Sequence, residues 1–275
     1  MRGACTIKIG IAGCGAIGSS LAKYIAEYFP ARGALCGVYD TDNARAALLA
    51  KACGRSRLAV ASLEALIARS DLIIEAAAAG AAYAIAEKTL RASRDIMIMS
   101  VGGIIEGYKE LIALAQERGC RIFIPSGAVC GLDGLKACAC GKIKKVTLTT
   151  TKPPRAFRGV AYVHSARIDL AAIKKDAVLF EGSANAAIKA FPQNINVAAI
   201  LSIAGIGPAK TRVRIVASPR VSKNTHQIDI ESDAGTMTVR TENVIHPANP
   251  KTSYLAVLSA IACVRQIAYP LHIGT

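Results

Sequence analysis

Three glycines in Gly13-Cys-Gly15-Ala16-Ile17-Gly18 are spaced to bring a backbone up against an anion. Glycine at 13 permits a tight turn, glycine at 15 lets the main chain approach a pyrophosphate, and glycine at 18 lets a following helix lie close to the strand before it. The phosphates would rest on unpaired N–H groups at that helix's start. Asp40, 22 residues beyond Gly18, stands where such a unit needs a carboxylate for ribose hydroxyls. Four histidines, 164, 226, 246 and 272, are candidates for acid–base work near neutral pH. His272 is three residues from the end, and His164 sits in Tyr162-Val-His-Ser165, which reads as an exposed loop. His226 opens a strand after the polar Ser222-Lys-Asn-Thr225, and His246 precedes Pro247 and the Asn249-to-Ser253 loop. From the residues alone, these two compete equally, each against a structural role.

The glycine spacing means little in a chain with 23 glycines unless its surroundings fit. Thr6 to Ala12 is a short apolar run, Leu21, Ala22, Ile25 and Phe29 recur with a helical period, and Ala34 to Asp40 reads as a second buried strand. Helices are then expected at 43–52 and 62–68, with Ser62 as a cap, and a short strand at 58–61 between them. Strands at 71–76, 95–100 and 121–125 alternate with helices at 81–91 and 108–118. This alternation predicts a Rossmann-type, doubly wound parallel sheet with ligands at the carboxyl ends of its strands. Beyond Pro125 the rhythm changes. Strands at 145–150, 212–217, 226–231 and 236–241, two of them flanking the turn Ser232-Asp-Ala-Gly235, predict a mixed, largely antiparallel sheet. Helices are expected at 168–176, 183–190, 194–204 and 253–268, the last apolar on nearly all sides and so buried. The fold class is therefore α/β with a second α+β domain. Residues 1–125 with 253–275 make the dinucleotide-binding domain and 126–252 the catalytic domain, substrate lying in the cleft between.

Composition narrows the partners. Hydrophobic residues are 52% and charged ones 19%, with no Trp, so a core of Ala, Ile, Leu and Val is expected. The formal net charge of +15 suggests nucleic acid, but the densest runs, 141–145 and 174–175, are short and lack interleaved aromatics. The expectation is no nucleic acid, the charge steering anionic small molecules instead. Nine cysteines include no Cys-x-x-Cys pair, and Cys138-Ala-Cys140 has no nearby His; free thiols are expected, with no metal. The amino terminus runs straight into the first strand, which leaves no room for a signal peptide, and Leu72 to Ala86 carries Glu75 and is too short to span a bilayer. A soluble, cytoplasmic protein is expected, with no membrane partner.

At the loops that should face the cleft, the chain resembles a known family. Gly13 to Gly18, Ser100-Val-Gly102, Pro125-Ser-Gly-Ala128 with Gly131-Leu-Asp133, the block from Phe191 to Ala199, Asn224-Thr-His226 and Asn249-Pro-Lys-Thr-Ser253 resemble, in order, the motifs of the L-aspartate dehydrogenases. The resemblance implies NAD(P)-dependent oxidation of L-aspartate to iminoaspartate, which feeds quinolinate and NAD synthesis or hydrolyses to oxaloacetate and ammonia. It implies His226 as the catalytic histidine, Ala128 as a nicotinamide contact, Asn196 as a cofactor contact and a homodimer. Gly13, Gly15, Ala16, Ile17, Gly18 and Asp40 complete the cofactor set. Lys251, Thr252 and Ser253, on a loop stiffened by Pro250, are candidates for the substrate carboxylates, with Lys136 as another cation. NAD is the expected cofactor because a 2′-phosphate beside Asp40 is repelled; Arg45 leaves NADP possible. The alternatives are a related imine or semialdehyde reductase, which would share the fold but not the blocks around 196, 226 and 250, and a non-catalytic dinucleotide sensor. A sensor would keep the glycines and lose the acid–base group.

Overall fold

The computed structural model describes residues 7–29, 33–191, 195–247 and 249–274. The chain divides into two compact units, one of Met1–Pro125 with Val257–His272 and one of Ser126–Ala256 with Ile273–Thr275. Thr6, with which the first strand was expected to begin, and residues 192–194 of the Phe191 block lie outside the described residues.

In the first unit, β1 (Ile7–Ala12), β2 (Gly33–Tyr39), β3 (Leu72–Glu75), β4 (Asp95–Ile98) and β5 (Ile122–Phe123) form one sheet in the order β2-β1-β3-β4-β5. Every pairing is parallel. Ile9, Ile11, Leu72 to Ile74 and Ile96 to Ile98 are all buried, as strands covered on both faces must be. The crossovers are α1 (Ala16–Tyr28), α2 (Asn43–Ala52), α3 (Leu63–Arg69), α4 (Ala79–Arg91) and α5 (Tyr108–Arg118). Strand order reverses beside β1, so the glycine turn lies at the topological switch point, where such sheets bind ligands. Asp42 caps α2 and Ser62 caps α3 through hydrogen bonds to backbone N–H groups. The expected strand at 58–61 is not formed. Ser56–Leu58 is a 3-10 turn, and only Ala59 bridges to Val38, because the Ser62 cap begins the next helix too soon.

The second unit holds α6 (Leu132–Ala139), β6 (Ile143–Lys152), α7 (Ala161–Ser165), β7 (Ala177–Ser183), α8 (Ala184–Ala190), α9 (Ile195–Ala204), β8 (Arg212–Ala217), β9 (Asn224–Ser232) and β10 (Gly235–Asn243). Its sheet runs β10-β9-β6-β8-β7; only the β6–β8 pairing is parallel. The hairpin at Asp233-Ala234 joins β9 to β10. The helix expected at 168–176 is absent: the Asp169 carboxylate accepts the Ala171 N–H, a local turn that competes with helix. Instead, a short helix forms earlier, over His164, and β7 adds an edge strand.

A small hairpin of β11 (Ile245–His246) and β12 (Asn249–Ser253) leads into α10 (Tyr254–Ala268). This last helix buries one stripe, Val257, Ala260 and Val264, while Leu258 is exposed. Ala260 and Val264 join Leu21 and Ile25 in the first unit's core. All-round apolarity therefore overstates its burial, since a single stripe suffices to dock it. No helix among the described residues is long and apolar enough to cross a membrane.

Candidate active site

The turn after β1 is built as a cradle. Gly13 has φ +104°, a left-handed conformation open to glycine, and its N–H is bonded to the Tyr39 carbonyl at 2.8 Å. A Cβ on Gly18 would collide with the Gly13 carbonyl oxygen, whereas one on Gly15 would meet nothing. The amino end of α1 has no side-chain cap, so the N–H groups of its first turn face that open space. Asp40 closes the cradle: its carboxylate accepts the Cys14 N–H at 2.7 Å on one oxygen and the Asp42 N–H at 2.9 Å on the other. The lone pairs that remain suit ribose hydroxyls. A cavity of about 370 Å³ adjoins it, lined by Gly13, Gly15, Tyr39, Asp40, Arg45 and the alanines at 76–78. Arg45 is paired with Asp42 at 3.3 Å. Burial and the nearby Asp40 charge push the Cys14 thiol up to about 12, so it is an inert neighbour. The fit to a dinucleotide is good: an uncapped helix start, open space at Gly15 and a carboxylate at the end of β2.

Glu75, which ends an otherwise apolar strand, is a component of the site that motif spacing does not reveal. Its carboxylate is fully buried and accepts the N–H groups of Ala77 at 2.8 Å, Met99 at 3.2 Å and Ser100 at 2.9 Å. Ser100 Oγ in turn donates to the Ala77 carbonyl at 2.9 Å. Two loops at the carboxyl edge of the sheet are thereby locked together. Burial raises the Glu75 carboxyl, and the three N–H donors oppose that shift.

In the second unit the chemistry gathers at one end of the buried sheet face. His226 on β9 lies opposite Thr150 on β6 and Thr241 on β10. Thr150 Oγ1 and His226 Nδ1 are 3.0 Å apart, with the two residues 1% and 6% exposed. Burial, then the charge of Lys152, pushes the imidazole down to about 4, so it is neutral at ordinary pH. Asn243, buried at the end of β10, donates from Nδ2 to the Ala128 carbonyl at 3.0 Å and accepts from Ser253 Oγ at 2.8 Å. That one amide ties the loop at 126–128 to the end of β12. A signal for it exists in the sequence: alternation along 235–243 puts Asn243 on the same inward face as Met237 and Val239.

The remaining candidates fall as follows. Ala128 is half-buried beside Gly127, which has φ +69°. Asn196 is exposed in the first turn of α9. Lys251 and Thr252 lie on β12, but their side chains lie outside what is described. Lys136 is exposed on α6. His246 is buried, its ring 5.7 Å from that of Tyr254; His164 and His272 are exposed. His226 combines burial, a hydroxyl held on one ring nitrogen and a cation whose charge reaches it.

With this geometry in hand, the chain compares closely with known proteins. The model described as Aspartate dehydrogenase, C-terminal, matches residues 133–267, and the one described as Homoserine dehydrogenase, NAD binding domain, matches 13–125. The L-aspartate dehydrogenase of Methanococcoides burtonii is 45% identical over 273 residues, 98% of this chain and 100% of the relative. That of Methanocaldococcus jannaschii is 40% identical over 272 residues, again 98% and 100% of the two chains. The crystal structure of aspartate dehydrogenase from Thermotoga maritima superposes with a TM-score of 0.76 at 26% identity, covering 98% of this chain and 99% of that one.

Proposed function

The chain belongs to the L-aspartate dehydrogenase family, and on that premise we propose that it catalyses the NAD(P)-dependent oxidative deamination of L-aspartate to iminoaspartate. The observation that carries this reading is His226, a buried neutral imidazole positioned by Thr150.

Gly13, Gly15, Ala16, Ile17 and Gly18 would hold the pyrophosphate, Asp40 the ribose, and Ala128 and Asn196 the nicotinamide end. When bound, the nicotinamide accepts hydride from the substrate's α-carbon. Hydride departs only when the amine lone pair is free, so the ammonium must first lose a proton. For His226 Nε2 to accept it, Nδ1 carries the ring hydrogen and donates it to Thr150 Oγ1. The same imidazole, once relieved of that proton, can activate the water that attacks the imine. Lys251, Thr252 and Ser253 are proposed for the substrate carboxylates; the bond from Ser253 to Asn243, and from Asn243 to Ala128, links that segment to the nicotinamide loop.

NAD is the preferred cofactor in this proposal, since Asp40 lines the region a 2′-phosphate would enter and Arg45 beside it is paired with Asp42. Assembly as a homodimer belongs to the same reading on family grounds, and location in the cytoplasm on the free thiols of the described cysteines. The test is to mix the purified protein with NAD, then NADP, and a panel of L-amino acids, following absorbance of the reduced cofactor. Aspartate-dependent reduction is expected; none at any pH would refute the assignment.

A further inference from the structure

Lys152 is the last residue of β6, two positions beyond Thr150 and hence on the same face of the sheet as His226. Thr150 pairs directly with His226 across the two strands, so Lys152 stands one step further along that face, and its charge is felt by the imidazole. It also lines a cavity of about 490 Å³ whose walls include Phe157, Tyr162, Ser165, Lys189 and Phe191. That volume lies within the range of small-molecule sites. The walls combine aromatic surface, two cations and the hydroxyls of Tyr162 and Ser165, and none of the lining residues is acidic. Phe157 and Phe191 pack edge to face at 6.2 Å, and Tyr162 meets Phe191 at 5.1 Å, which makes this wall a built part of the core.

We propose that Lys152 is a specificity-determining residue that seats a carboxylate of the dicarboxylic substrate beside His226, with Lys189 as a second cation at the edge of the same cavity. This rests on the reading of the protein as an aspartate dehydrogenase and adds a residue to it. A cavity whose lining carries two cations and no acidic residue favours an anionic substrate group over the neutral side chain of alanine or asparagine, because only the anion gains from the positive field there. Burial already pushes the Lys152 ammonium down, and a carboxylate seated on it restores the charged form. The same carboxylate offsets the field that Lys152 exerts on His226, at the moment the imidazole must accept a proton.

The test compares wild type with Lys152→Met, which keeps the stem and removes the charge, and Lys152→Arg, which restores it. KM for aspartate should rise at least about thirtyfold in Lys152→Met, discrimination against alanine should collapse, and NADH binding should stay unchanged; Lys152→Arg should recover part of the loss. Succinate binding by calorimetry should weaken in parallel, a readout that does not require turnover. Should Lys152→Met fail to fold, amine-reactive labelling of the wild-type protein replaces it, with succinate expected to protect Lys152. Unchanged KM and discrimination in Lys152→Met, or labelling that succinate does not slow, overturns the proposal. An inactive wild type overturns the reading beneath it instead, while the succinate measurements still test the site.

Discussion

Replacing Thr150 with valine isolates what the hydroxyl on His226 does. Valine matches threonine in shape and suits a β-strand, and Thr150 packs on the buried face between the β8 and β9 strands, so no cavity results. What disappears is the 3.0 Å partner of Nδ1. Leaving one buried ring nitrogen unpartnered costs about 1–2 kcal/mol and frees the imidazole to adopt the other tautomer. At about 1.4 kcal/mol per decade, kcat should fall by roughly 5- to 30-fold. The assay is steady-state NADH formation from L-aspartate, with NADH binding measured separately by fluorescence. Cofactor affinity should be unchanged, and Thr150→Ser, which keeps the hydroxyl, should recover most of the rate. A folded Thr150→Val enzyme with wild-type kcat would refute the claim that this bond sets the base.

Three further outcomes follow from the same geometry. Asp40→Ser should shift the ratio of specificity constants toward NADP at least about tenfold, because the carboxylate's repulsion of a 2′-phosphate is removed while Arg45 remains; equal ratios in kinetic assays would contradict it. Glu75→Gln should destabilise the protein by about 1–3 kcal/mol in urea titrations, since an amide nitrogen cannot accept the N–H groups that both carboxylate oxygens now take. The His226 imidazole has a folded pKa of about 4 against an ordinary 6.5. Its stabilising contribution is therefore complete above pH 6.5 and is lost as pH falls toward 4, roughly 2–3 kcal/mol by pH 4.5. Urea midpoints of wild type should fall over that window more steeply than those of His226→Gln.

How much of this was legible beforehand depends on sequence distance. The glycine turn, Asp40 and the alternation up to Pro125 are local patterns, and the parallel sheet is their consequence. The Asp233-Ala234 hairpin is equally local. Glu75 with Ser100, Ala128 with Asn243, and Thr150 with His226 are bonds between residues 25, 115 and 76 positions apart, and no spacing rule encodes them. From the residues alone, His226 and His246 cannot be told from each other. Burial beside Thr150 separates them in three dimensions, since His246 instead packs on Tyr254. The strand β7 is not legible in the sequence because Gly182 interrupts its apolar pattern and it lies at the sheet's edge. The helix expected over 168–176 failed for the opposite reason: its composition permitted a helix, but the Asp169 side chain captured the backbone first.

The most direct measurement is aspartate turnover in His226→Ala, made alongside NADH binding. Loss of a positioned acid–base group costs on the order of 100- to 10,000-fold in rate. The account predicts a loss of that size in a folded protein whose affinity for NADH equals that of wild type. Turnover at the wild-type rate would contradict it and move the acid–base role to His246.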